Sequence, residues 1–304
     1  MITKDALLYL SKQESLKNVL TNISLFKKIT DRFVAGETIE EAAVAVKELN
    51  KLNISVTFDH LGEAIKSEAE AEAEVVEYGK ILSKIDKDGL NSNVSLKPTQ
   101  LGLAIDPELG LRNIKRVVEK ARAYNNFVRI DMEDTPYTTA TIDMFKKLRQ
   151  EYDNVGIVIQ AYLYRSKEDI QDLLKCNARI RLCKGAYDEP ATVAFPKKAD
   201  TDKNYVELMK ILLESGIYHG IATHDPKMIK ATRDFSKEKN IPKSAYEFQM
   251  LYGVRRDLQL KLAGGGYNIR VYVPYGKHWY PYFMRRLAER PANIWFIMKN
   301  FFLG

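Results

Sequence analysis

The alternation of short β-rich runs with helical stretches constrains this chain more than any other feature. β-branched and aromatic residues cluster at 53–58 (NISVTF), 94–96, 127–130, 156–159, 180–182, 220–223, 246–249 and 269–273. Between them lie stretches of helical period, among them ELGLRNIKRVVEKARAY and NYVELMKILLESG. Strands separated by helices run in the same direction and pair in parallel, because a parallel pair needs a long crossover. Eight such units predict an α/β fold closed as a (βα)8 barrel of the TIM type, in preference to an open doubly wound sheet. Helical period ahead of the first strand predicts extra N-terminal helices. The whole of 1–304 then reads as a single domain, with an arm over 1–50 and a barrel with C-terminal helices over 51–304. That length is ordinary for one such barrel.

Polar residues sit at the C-terminal end of nearly every run: Asp59, Lys97, Asp131, Gln160, Lys184, His224, Gln249 and Tyr272. One such residue would be read as a turn or cap. Eight of them converge on the C-terminal rim of a barrel, where barrel enzymes build their sites.

Composition excludes several classes. With 45% hydrophobic and 29% charged residues the chain has enough apolar content to fold. Its net charge of +7 is spread among acids and does not form a basic stripe, which counts against a scaffold for nucleic acid or anionic lipid. No apolar run reaches the length of a membrane span, and the first residues mix lysines with acids, unlike a signal peptide. The two cysteines, Cys176 and Cys183, make no framework and suit a reducing, cytoplasmic setting. Cys183 reads as a small core side chain. The acidic repeat SEAEAEAEVVEYGKIL reads as a solvated helix face, not a metal site. Gly264, Gly265 and Gly266 precede a strand, so they make a turn and no dinucleotide fingerprint. A barrel can bind nucleotide phosphate without that fingerprint.

Three segments carry chemistry. In WYPYFMRRLAERPAN, helical spacing puts Tyr282, Arg285, Arg286 and Glu289 on one face, and Pro291 should end the helix. Two adjacent guanidinium groups suit a carboxylate. The same spacing also describes a solvated face with Glu289 as internal partner. Tyr282 and the VYVPYG strand end just before it favour binding. Lys97 ends a strand before Pro98, and could bind an anion or serve as a Schiff-base amine. RIRLCKGAYDE combines Arg181, Lys184, Gly185 and Tyr187, and its glycine permits close approach of a phosphate or a ring. The tail NIWFIMKNFFLG reads as a packing helix or an interfacial one.

DHLGE, SLKPTQLG, RIDME, RLCKGAY, ATHD, YEFQMLYG, RVYVPYG and YFMRRLAER follow one another between 59 and 289. In that order they resemble the proline dehydrogenases, specifically the short monofunctional bacterial type. The resemblance implies a distorted (βα)8 barrel with FAD (or FMN) at the rim and L-proline against it, and hydride transfer from proline C5 to flavin N5. The product would be Δ1-pyrroline-5-carboxylate, on the way to glutamate, with electrons passed to a membrane quinone. It further implies transient contacts with the membrane surface and with a pyrroline-5-carboxylate dehydrogenase. By position, Lys97, Arg285 and Arg286 match ligands of the substrate carboxylate. Tyr187, Leu251, Tyr272 and Tyr282 match residues around the proline ring, and Asp131 matches an acid shared by the catalytic and flavin pockets. Gln160, Arg181, Lys184, Gly185, Ala186, Thr223, His224, Gln249 and Glu289 match flavin contacts. Glu63 matches an acid that pairs with Arg285 and closes the pocket. The family pattern is departed from at Asp225, where it reads THN. A competing reading keeps the barrel and makes Lys97 the Schiff-base lysine of a lyase.

Overall fold

The computed structural model of the chain describes residues 32–62, 65–280 and 282. Helix α1 (Ile39–Lys51) opens on a capping box, in which Thr38 and Glu41 satisfy each other's backbone amides. It is the described part of the expected N-terminal arm. The alternating elements that follow are β1 (Ser55–His60), α2 (Glu68–Lys87), β2 (Ser92–Leu96), α3 (Pro107–Ala123), β3 (Val128–Ile130) and α4 (Thr135–Glu151). After them come β4 (Val155–Gln160), α5 (Ser166–Leu174), β5 (Arg179–Cys183), α6 (Lys198–Glu214), β6 (His219–Ala222), α7 (Pro226–Glu238), β7 (Tyr246–Leu251), α8 (Arg256–Gly264) and β8 (Asn268–Tyr275). The strands pair in parallel in chain order, and β8 closes on β1 from Ser55↔Arg270 to His60↔Tyr275. The predicted eight-stranded barrel is therefore the observed one.

The helices cover the outside of the barrel. α2 buries Val75, Tyr78, Ile81, Leu82 and Ile85 and exposes Glu68, Glu70 and Glu72, as the acidic repeat suggested. Glu74 departs from that pattern, because its carboxylate meets His60 Nδ1 at 2.8 Å. Gly264 ends α8, Gly265 caps it and Gly266 turns the chain at φ +73°, so the last two of the three glycines make the expected turn into β8.

Alternation along each strand divides the residues into two sets. Val56, Phe58, Val94, Leu96, Ile157 and Ile180 join the apolar core between barrel and helices. The alternate residues turn inward and are mostly polar. Arg181 of β5 bonds Ser95 of β2, and Tyr272 of β8 bonds Asp131 at the end of β3. Bonds between strands that are not neighbours pass through the lumen. Room for these side chains comes partly from Gly220, where an added Cβ would lie 2.4 Å from Gln249 Nε2.

Candidate active site

Two buried ion pairs meet at the C-terminal rim. Asp59, near the end of β1, is 1% exposed and accepts from Lys97 Nζ through both oxygens, at 2.7 and 2.9 Å. Lys97 follows β2 and is turned inward by the extended backbone it adopts before Pro98. Burial pushes the Asp59 carboxyl up. The Lys97 side chain is partly buried, which disfavours its charge, yet Asp59, Asp131 and Glu133 hold its pKa above the ordinary value. It is a protonated lysine, and a poor nucleophile.

The second pair joins Arg181 and Asp131 at 2.7 Å. Ser95 Oγ donates to the same Asp131 oxygen at 2.6 Å and accepts from Arg181 at 3.0 Å. Tyr272 links the pairs: its hydroxyl donates to Asp131 Oδ2 at 3.0 Å and lies 3.5 Å from Lys97 Nζ. Burial, with Asp131 and Asp59 nearby, holds the Tyr272 phenol well above its ordinary pKa, so it remains a donor. The Arg181 guanidinium also lies 5.4 Å from the Tyr272 ring centre, within cation–π range.

Deeper in the lumen, Arg181 Nε donates to Gln249, and Gln249 donates to Glu247. Arg270 Nε then reaches both Glu247 oxygens at 2.9 and 3.1 Å. Burial alone would raise the Glu247 carboxyl, but Arg270 and Gln249 hold it below its ordinary range. This lower network fixes Gln249, and Gln249 in turn helps fix Arg181.

The exits of β5 and β6 form a second patch. Lys184 Nζ pairs with Asp202 and, at 2.8 Å, with Asp225. Asp225 also caps α7 by accepting the Lys227 amide, which gives the residue that departs from the family pattern a structural role. Thr223 Oγ1 accepts the Asp225 amide at 3.0 Å. His224 Nε2 accepts the Leu251 amide at 2.8 Å, so a neutral His224 ring would carry its proton on Nδ1. Gly185 has φ +122°, and a Cβ there would meet the Tyr162 ring at 2.3 Å. Only glycine fits that approach. Gln160 Nε2 donates to the Glu133 carbonyl at 2.9 Å.

The structure thus gathers Lys97, Asp131, Arg181, Gln249 and Tyr272 into one network and places Lys184, Gly185, Thr223 and His224 on neighbouring loops. Tyr187 and Ala186 are exposed on the β5 exit, Leu251 ends β7, and Tyr282 is buried. Gln249 and Tyr272 are not strand ends as expected, since β7 and β8 continue past them and hold both inside the lumen. Cys183 packs against the core as expected, and burial pushes its thiol up to about 12. Glu63, Arg285, Arg286 and Glu289 lie outside the described residues. No metal-binding group of acids, histidines and cysteines is present among the described residues. Sequence reasoning missed Ser95 and the partnership of Asp59 with Lys97. The available signal was their period-2 spacing: Ser95 lies two residues before Lys97, as Asp59 lies two after Thr57.

The donors suit a flavin. Arg181 Nη2 is buried with no hydrogen-bond partner among the described residues. A cation with an unused N–H group fits an anionic, acceptor-rich cofactor. Lys184 fits less simply, because two carboxylates already share its charge.

A closed parallel barrel with this charged rim belongs to the barrel enzymes that act on a small ligand at their strand C-termini. The sequence profile of proline dehydrogenase matches residues 42–299. The chain is 44% identical over 300 residues to proline dehydrogenase 2 of Bacillus subtilis, covering 99% of both chains. It is 43% identical to the proline dehydrogenase of Deinococcus radiodurans over 91% of each. Among solved structures, proline utilization A from Bdellovibrio bacteriovorus, inactivated by N-propargylglycine, superposes with a TM-score of 0.82 at 29% identity. That match covers 87% of this chain and 33% of the longer protein. The chain belongs to the proline dehydrogenase family.

Proposed function

We propose that the rim binds L-proline by its carboxylate, between Lys97 and the Arg285–Arg286 pair, with FAD as the cofactor and a membrane quinone as the final acceptor. Family membership makes the chain an oxidoreductase acting on proline. The observation that carries the rest is the continuous network Asp59–Lys97–Tyr272–Asp131–Arg181. It puts a cation suited to a carboxylate and a cation suited to a flavin on opposite sides of one tyrosine–aspartate bond.

Arg181, Lys184, Gly185, Gln160, Thr223, His224 and Gln249 would hold the flavin, with Ala186 and Glu289 as further contacts. When bound, the flavin supplies the hydride acceptor for the oxidation of proline. The protein's share is position and charge. Lys97 and the two arginines fix the carboxylate, and fixing the ring is worth much of the barrier when a C–H bond must be aligned with its acceptor. Tyr272 and Leu251, with Tyr187 and Tyr282, would cover the ring and keep out water. Glu63, paired with Arg285, would close the pocket. Quinone contact requires that the protein visit a membrane surface, and no described helix is long and apolar enough to cross one.

The Schiff-base reading is disfavoured because Lys97 is held as an ammonium by a bidentate carboxylate, whereas that chemistry needs a neutral amine. The two readings separate in one purification. The proposed enzyme is yellow, releases FAD on denaturation, and loses its visible absorption when proline is added without oxygen. Absence of flavin after reconstitution, or a spectrum indifferent to proline, would refute it. A borohydride-trapped adduct at Lys97 would instead establish the lyase.

A further inference from the structure

Asp59 is engaged by Lys97 through both of its oxygens and is nearly inaccessible to solvent. An ammonium has three N–H donors. Two contacts at 2.7 and 2.9 Å go to Asp59, and among the described residues the remaining neighbour is the Tyr272 hydroxyl at the outer limit of 3.5 Å. Tyr272 spends its own proton on Asp131, so its oxygen offers Lys97 only a lone pair at long range. Lys97 is therefore tethered on one side and weakly engaged on the other.

We propose that Asp59 is a positioning residue, holding Lys97 charged and leaving one of its N–H donors for the substrate carboxylate. This rests on the reading of Lys97 as a carboxylate ligand. Among the described residues, several elements packed around the pair contribute groups that bear on it, His60 and Tyr275 at the ends of β1 and β8 included. Asp59 comes from β1, Asp131 and Glu133 from the exit of β3, Tyr272 from β8, Arg181 from β5 and Tyr78 from α2. Asp131 is already matched by Arg181, and Glu133 accepts from the Thr99 amide and hydroxyl at 2.9 and 2.6 Å. Asp59 is the one carboxylate of this group in direct contact with Lys97. Without its charge, burial favours the neutral amine, which cannot hold a carboxylate by charge.

The test uses the flavin-loaded protein and tetrahydrofuran-2-carboxylate, the ring of proline with an ether oxygen in place of the amine. This probe does not titrate in the alkaline range, so the pH dependence of its calorimetric affinity reports on the protein. Wild type and Asp59→Glu should bind it about equally between about pH 6 and pH 9. Asp59→Asn should stay within about threefold of wild type at the acid end and weaken about tenfold or more at the alkaline end, as its lysine loses a proton. A flat Asp59→Asn profile, with Lys97→Met binding weakly, would overturn this inference alone. Equal affinity in wild type and Lys97→Met would overturn the carboxylate reading of Lys97 and the inference together. If Asp59→Asn does not fold, wild type decides: the Lys97 13Cε resonance must keep its ammonium shift to about pH 9, and titration below that would refute the proposal.

Discussion

Val56, Phe58, Val94 and Leu96 leave one side of β1 and β2 for an apolar core, whereas Thr57, Asp59, Ser95 and, just past β2, Lys97 leave the other for the lumen. The outer set stabilises the fold by removing apolar area from water, and any side chain of similar shape could serve. The inner set does the opposite. Buried ions are expensive, and well-packed apolar residues often replace them without loss of stability. A lumen filled with Asp59–Lys97, Asp131–Arg181 and Glu247–Arg270 pairs is therefore poorly explained by stability. It is well explained by the need to hold cations at the rim.

Breaking this contrast should cost most inside the barrel. Arg181→Met leaves the largely buried Asp131 without its cation and should lower stability by about 3–5 kcal/mol in denaturant titration, with flavin content falling as well. Arg285→Met or Arg286→Met should leave the flavin in place while weakening proline binding by about 2–5 kcal/mol, measured by titrating the flavin spectrum. Unchanged proline affinity in both would remove the arginines from the site. Gly185→Ala forces a side chain into the Tyr162 ring at a positive φ and should cost about 1–3 kcal/mol, read from melting and retained flavin. On the outer face the effects should be small and independent of ligand. Ile157→Val should cost about 0.5–1.5 kcal/mol and leave flavin and proline binding untouched.

The outer face also carries one titratable ring whose behaviour sharpens the comparison. His219 accepts the Ile180 amide at 3.0 Å, and burial pushes its pKa down to about 3. Its folded pKa lies below the unfolded value, so its contribution to stability is complete above about pH 6.5 and is lost as pH falls towards the folded value. In His219→Asn, melting temperature should decline less between about pH 6.5 and pH 4 than in wild type. An unchanged acid limb would show that His219 does not control it.

The outer face was the legible one. Runs such as GIVI and RIRL announce strands by their β-branched residues, and the count of eight with helices between them leaves few topologies. At the rim, the last polar residue of each run could be picked out, but its partner could not. Asp59 and Lys97 are far apart in sequence and meet only because β1 and β2 are neighbours in the barrel. Ser95 looked like an ordinary strand serine until Arg181 reached it across the lumen from β5. The positions of Gln249 and Tyr272 within their strands were also hidden, because β7 and β8 continue into residues that do not favour strand strongly, such as Pro274.

The most direct test of the account is a crystal structure of the flavin-loaded enzyme with tetrahydrofuran-2-carboxylate bound. The account predicts a carboxylate oxygen within hydrogen-bond distance, roughly 3 Å, of Lys97 Nζ, with Asp59 still on the far side of the ammonium and Arg285 and Arg286 on the other carboxylate edge. A ligand bound elsewhere on the rim, with Lys97 engaged only by Asp59 and Tyr272, would contradict it.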